Sequence, residues 1–405
     1  MSILHCGRPA AGHQHASRVV AVTNIQAAAA GVTSRVCAEV DGAPLWFESD
    51  DAPLRPQAEA FGCATLPVAV ERRADLVIDA PLDTIWCAQV RAIQCVWRQW
   101  WRIRRAGLHC RAEIRQPFAK APGVALCFGG GVDSFYTLLR SGFAFDHLVF
   151  VQGYDVKLAD NRRAAAAERS LRDVAAAVGA KAVVVRTNLR EHPTFRSADW
   201  ERGHGGALAA VGHLLCPTIG TLVISASYPY YHDVPWGSHW RIDPLWSASQ
   251  IEIVHYGGWL WRTEKIEAIA GEDLVRRYLR VCWEGRGAEG NCSHCEKCLR
   301  TMLVLAEAKQ LEHFPVFEGG AALVERINEL PFLSPIYFLN YEGNLARSSD
   351  PRVAAALRAL LERSRANVPT KGRTAARLLR RIPAALGRRA RRWGISCGPA
   401  PGGPS

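Results

Sequence analysis

The chain has 405 residues, 49% of them hydrophobic, with 34 Gly and 22 Pro, which suits two compact domains with an appendage and excludes a disordered or fibrous protein. Its net charge of +12 does not mark a basic body: from Arg352 onward 13 Lys or Arg meet the single acid Glu362, while 37 basic residues before that point are balanced by 37 acids. No run approaches the roughly 18 apolar residues of a spanning helix, and MSILHCGRPAAGHQHASR lacks a secretory apolar segment, so the expected compartment is the cytoplasm and the 13 cysteines are expected reduced.

Residues 1–115 open with short alternating pieces, VTSRVCAEVDGAPLWFE and DLVIDAP, followed by the amphipathic pattern IWCAQVRAIQCVWRQWWRIRR. A small accessory α+β domain is expected there, with Trp97, Trp100 and Trp101 in its core or at an interface. QPFAKAPG (116–123) reads as a linker, since two prolines and a glycine interrupt both periodicities. Beyond it VALCF, HLVFVQG, KAVVVRT and TLVISAS are strands. They alternate with the helices DSFYTLLRSG, NRRAAAAERSLRDVAAAVGA and HGGALAAVGHLL. Such alternation predicts an α/β fold over residues 116–345, a parallel sheet sandwiched by helices that binds ligands at the carboxyl ends of its strands. Residues 346–405 are expected to form a solvated or partly disordered basic tail, with an anionic membrane surface or nucleic acid as alternative contacts.

Between VALCF and its helix lies GGGVDS, residues 129–134. Glycines between a buried strand and a helix start let backbone N–H groups approach an anion, and the helix dipole favours one there. A Walker loop is excluded because Val132 and Asp133 stand where Lys and Ser or Thr are required. The dinucleotide fingerprint would use Gly129 and Gly131 but meets Ser134 in place of its third glycine; with Asp155 as a ribose-binding acid, an NAD(P)-dependent dehydrogenase stays as an alternative.

Downstream, CWEGRGAEGNCSHCEKC places Cys282, Cys292, Cys295 and Cys298 within seventeen residues amid Gly, Asn, Glu and Lys, which suits four-thiolate zinc, with an iron–sulfur cluster as the second reading. His294 is expected to be exposed.

GGGVDS resembles the SGGxDS loop of the PP-loop ATP pyrophosphatases, with Gly129 in place of the leading serine. This resemblance implies an adenine nucleotide α-hydrolase-like fold and ATP with Mg2+ as cofactors. It implies Gly129, Gly130, Gly131, Val132, Asp133 and Ser134 as the nucleotide-binding loop, with Asp133 also placed to help position magnesium. The order of this loop, then C-x9-C-x2-C-x2-C, then CLRTMLVLA resembles the 7-cyano-7-deazaguanine synthase branch over roughly residues 120–310, in which the zinc site is a structural staple.

An adenylating enzyme needs cations on its leaving pyrophosphate. Arg262 and Lys265, one helical turn apart in WLWRTEKIEAIA, are the candidates, with surface pairing to Glu264 and Glu267 as the competing role. The stretch SASYPYYHDVPWGSHWRIDPLWSAS after the last predicted strand is the candidate acceptor pocket, with Ser225, Ser227, His232, Asp233, His239 and Asp243 as its polar groups. Gly203, Gly205 and Gly206 either let a helix start near the nucleotide or serve close packing.

The expected activity is AMP-forming activation of a small-molecule carboxylate or carbonyl oxygen for amide, nitrile or thio formation. Cys127 and Cys216 keep a sulfurtransferase open, and a zinc-stabilised nucleotide-binding scaffold is the alternative outside the enzymes. Catalysis by the loop predicts that Asp133→Ala loses turnover with little loss of folding.

Overall fold

The computed structural model describes residues 18–30, 32–117, 120–282, 284–285, 289–319 and 322–368. Three strands open the chain as an antiparallel meander: β1 (Val19–Ala30), β2 (Thr33–Val40) and β3 (Ala43–Ser49). The turn from β2 to β3 is Asp41-Gly42 with φ of +52° and +78°, the left-handed pair a two-residue hairpin requires. Helix α1 (Ala58–Glu71) leads to β4 (Asp75–Asp83), and α2 (Thr84–Trp101) leads to β5 (Leu108–Ile114). The Asp83 carboxylate caps α2 by accepting from Ile85 N and Trp86 N at 2.8 and 3.1 Å.

The second half alternates strand and helix: β6 (Gly123–Cys127), α3 (Val132–Arg140), β7 (His147–Gln152), α4 (Asn161–Ala177), β8 (Lys181–Thr187), α5 (Trp200–Leu214), β9 (Ile219–Ser225) and β10 (Glu252–Tyr256). Helices α6 (Arg262–Ile269), α7 (Asp273–Tyr278), α8 (Glu296–Glu307), α9 (Leu323–Glu329), α10 (Phe338–Arg347) and α11 (Pro351–Ala366) follow.

All these strands form one ten-stranded sheet in the order β10-β9-β6-β7-β8-β3-β2-β1-β4-β5. From β10 to β8 every pairing is parallel, and numbered within this half the order is 5-4-1-2-3, that of a Rossmann-like doubly wound sheet. Residues 1–115 were expected as a separate unit, yet β3 pairs with β8 and one core runs from Val20 and Phe47 through Trp86 to Leu222 and Trp246. That core, with α1, α2 and α5, covers one face; α3, α4, α6, α8 and the last helices cover the other. Trp97 is buried there, 5.9 Å from the Trp246 ring.

The boundary expected at 346 falls inside α10, and α11 is not a solvated tail. Val353, Leu357, Leu360 and Leu361 are buried in the second core because their spacing puts them on one helical face. The rest of the basic tail lies outside the described residues. Among the described residues no helix is long and apolar enough to cross a membrane.

In α5 Gly205 and Gly206 serve close packing, whereas a Cβ on Gly203 would make only ordinary contact with Pro67 at 3.5 Å. A Cβ on Gly205 would meet the Gly237 carbonyl oxygen at 2.1 Å, and one on Gly206 the Cys63 carbonyl oxygen at 2.4 Å. On the same helix, buried His213 bonds through Nε2 to the Trp246 carbonyl at 2.8 Å, and burial pushes its ring down to about 4 from 6.5. The unfolded ring protonates at the higher value, so this contribution is complete above pH 6.5 and is lost as pH falls through 4. Unfolding free energy should therefore fall by about 3 kcal/mol across that window. Urea titrations at stepped pH would show it, with a shallower slope in His213→Gln; equal slopes in the two proteins would refute it.

Candidate functional site

In a doubly wound sheet the ligand crevice opens where strand order reverses, here between β6 and β9. The segment Phe128 to Gly131 leaves β6 at that point and enters α3 with Gly131 as its N-cap. Gly130 has φ +72°, a left-handed conformation that glycine adopts without strain. The loop's carbonyls are tied down. Gly129 O accepts from Arg280 Nη2 at 2.8 Å, Gly130 O from Arg280 N at 2.8 Å, and Gly131 O from Ser134 Oγ and Phe135 N, each at 3.0 Å. By contrast, the six backbone N–H groups from Gly129 to Ser134 have no acceptor among the described residues. Consecutive free amides at a helix start, with their carbonyls held by a guanidinium and a hydroxyl, make an anion cradle.

Asp133, Arg262 and Lys265 meet beside this cradle. Arg262 Nη2 donates to Asp133 Oδ2, Lys265 Nζ lies 3.3 Å from Oδ1, and Lys265 also donates to the Ala226 carbonyl at 2.6 Å. Burial opposes ionisation of Asp133, but Arg262 and Lys265 outweigh it and hold the carboxyl below its ordinary value. Burial also lowers the Lys265 ammonium, which is 1% exposed. The competing role, surface pairing with Glu264 and Glu267, is not what forms: Glu264 closes the start of α6 by accepting from Trp261 N at 2.7 Å, and Glu267 pairs with Arg347. Both oxygens of Asp133 are engaged by cations, so it anchors Arg262 and Lys265.

Three cations that sequence reasoning did not assign to the site complete the electrostatics. Arg280 lies over the Phe150 ring at 5.5 Å while it grips the loop. Burial, with Arg262 acting in the same direction, pushes the Lys297 ammonium down to about 8. Arg300 lies 4.9 Å over the Tyr337 ring and 3.0 Å from Glu296. Each neighbours a cysteine of the cluster in sequence, and that adjacency was the available signal. Asp155, the expected ribose acid, is exposed in the turn after β7, and its charge is felt at Arg280 and Lys297.

The candidate acceptor residues divide. Buried Asp243 accepts from Ser238 Oγ at 2.6 Å and His239 N at 3.1 Å, and its Oδ2 lies 2.7 Å from His255 Nδ1. A carboxylate only accepts, so His255 Nδ1 carries the proton. His239 Nδ1 accepts from Arg241 N at 3.1 Å and its Nε2 lies 3.1 Å from Asp233; burial pushes the ring down to about 4, so it is neutral. His232 instead packs against Trp261, ring centroids 4.8 Å apart. Ser225 Oγ is buried without a partner among the described residues, and Ser227 is half-buried. His255 was missed because β10, which carries it, is only five residues long.

Cys282, Cys292, Cys295 and Cys298 are buried with all Sγ atoms within 4.8 Å of one another. Their cluster could hold a metal such as zinc. Tetrahedral Zn–S bonds of about 2.3 Å imply sulfur separations near 3.8 Å; Cys282 and Cys295 are 3.8 Å apart. Backbone N–H groups of Cys295 and Gly285 reach Cys292 Sγ and Cys282 Sγ at 3.3 and 3.4 Å, as thiolates require. His294 is exposed and faces Glu318 and Glu329, outside the cluster.

No protein-family model, curated protein or solved structure matches this chain.

Proposed function

We propose that the protein is an ATP-dependent adenylating enzyme of the PP-loop type, similar to 7-cyano-7-deazaguanine synthase, with zinc in its four-cysteine knuckle. The carrying observation is the run of six amides from Gly129 to Ser134, unpartnered among the described residues, at the sheet's switch point, with Arg280 holding the Gly129 and Gly130 carbonyls. Such a cradle suits a polyphosphate, and ATP is the polyphosphate the loop's resemblance implies.

In this reading an oxygen of a small-molecule carboxylate or carbonyl attacks the α-phosphorus, the bond to the bridging oxygen breaks, and pyrophosphate leaves. The amides of Gly129 to Ser134 bind the leaving group, and Arg262, Lys297 and Arg300 surround it with positive charge. Magnesium bound with the phosphates held by these amides would supply further neutralisation of their charge. Asp133 orients Arg262 and Lys265. An amine, ammonia or a sulfur donor then attacks the activated carbon, and AMP departs. The segment from Ser225 to Asp243 is the acceptor side, where Asp243 fixes the His255 tautomer so that Nε2 is free to take the nucleophile's proton.

Sulfur transfer within the same superfamily is less well supported. Burial pushes the Cys127 thiol up to about 12 and also raises Cys216, so neither is a ready thiolate.

Purified protein incubated with MgATP and a panel of small carboxylates is expected to release AMP and pyrophosphate, resolved by chromatography. Gly130→Val, which forces a β-branched residue to φ +72°, should abolish this release. ADP and phosphate as the products would overturn the proposal.

A further inference from the structure

The cluster and the loop are joined by a short chain of hydrogen bonds. Asn291, adjacent to Cys292, accepts at Oδ1 from Val281 N and Cys282 N at 2.8 and 3.2 Å and donates through Nδ2 to the Leu279 carbonyl at 2.8 Å. The residue enclosed by this clasp is Arg280, whose N–H and guanidinium hold the Gly130 and Gly129 carbonyls, each at 2.8 Å. On the other side Cys295 is the N-cap of α8, and Lys297 and Arg300 flank Cys298 on that helix.

Each of these cations is thus carried on backbone that the four cysteines anchor. Among the described residues the Gly129 and Gly130 carbonyls accept only from Arg280, which therefore sets which way the two peptide units face. If those carbonyls rotated, the amides of the cradle would rotate with them. A metal that locks Cys282 and Cys292 locks Asn291 and Arg280, and with them the amide array.

We propose that the cysteine knuckle is a positioning device for the polyphosphate site: metal held by the four thiolates sets Arg280 on the loop and delivers Lys297 and Arg300, so bound metal and bound polyphosphate stabilise each other. This rests on the loop being a polyphosphate site. Coupling between sites is reciprocal, and a linkage of the usual size changes each affinity about 5- to 150-fold.

The test is an equilibrium competition for the metal between the holoprotein and a chromogenic chelator, with and without saturating inorganic pyrophosphate or MgATP, alongside calorimetry of pyrophosphate binding. Pyrophosphate is expected to tighten the protein's hold on its metal at least about 5-fold. In Arg280→Met, which keeps an unbranched apolar side chain and the backbone bond to Gly130 but loses the one to Gly129, metal stoichiometry and melting temperature should be retained while that tightening weakens. Arg280→Lys, with the charge but not the fork, should behave like Arg280→Met. Binding of pyrophosphate with no change in metal affinity, or full tightening in Arg280→Met, would overturn the coupling and leave the loop assignment standing. Absence of any pyrophosphate binding would overturn both.

Discussion

Asp133→Ala is expected to destabilise the protein by about 3 to 5 kcal/mol as well as to end ATP turnover. Asp133 is 8% exposed, and the side chains of its partners Arg262 and Lys265 are 16% and 1% exposed, so the variant leaves a half-buried and a buried cation without their carboxylate. Sequence alone predicts a purely functional loss at this position; the ion triad adds the structural one. Urea unfolding of wild type, Asp133→Ala and Asp133→Ala combined with Arg262→Met measures it, and the double variant should recover part of the loss because one stranded charge is gone. The carboxyl's lowered pKa fixes the pH sign: its contribution is present above the ordinary value of 3.8 and is lost as pH falls below it. Wild-type stability for Asp133→Ala would show that the three side chains do not form this triad in solution.

Loss of the metal carries the second large effect. Cys282, Cys292, Cys295 and Cys298 belong to the second core, together with Leu299, Met302 and Leu303 of α8. A structural ion at 1,000 times its dissociation constant contributes about 4 kcal/mol, and its loss should lower the melting temperature on the order of 10 °C. Protein as purified is expected to contain about one zinc per chain, the number four thiolates can bind. Chelation or Cys295→Ser should expose the region from Leu279 to Glu307 to proteolysis before the first core opens, since α1, α2 and α5 pack without contributions from it. A metal-free preparation with the same melting temperature as the metal-loaded protein would remove the metal from the account.

The sequence by itself determined what depends on neighbours along the chain. Alternation of VALCF, HLVFVQG, KAVVVRT and TLVISAS with helical segments marked β6 to β9 and their parallel half of the sheet, because periodicity is a local property. GGGVDS marked the glycine loop between β6 and α3, since a strand-to-helix turn needs its glycines in place, and cysteine spacing marked the four-thiol cluster that could hold a metal for the same reason. Helix α1 escaped notice because it is buried nearly all round and shows no apolar stripe.

Tertiary structure decided everything that depends on distance in sequence. The pairing of β3 with β8 merges the expected accessory domain into one sheet, and α11 packs where a tail was expected; neither is encoded in local periodicity, since it is the mutual burial of apolar faces from distant segments that selects them. The same holds for the site. Asp133 lies 129 and 132 residues from Arg262 and Lys265, and Gly129 lies 151 from Arg280. A charge advertises its sign in the sequence, but its partner is chosen only when folding removes both from water and leaves each the nearest compensation for the other.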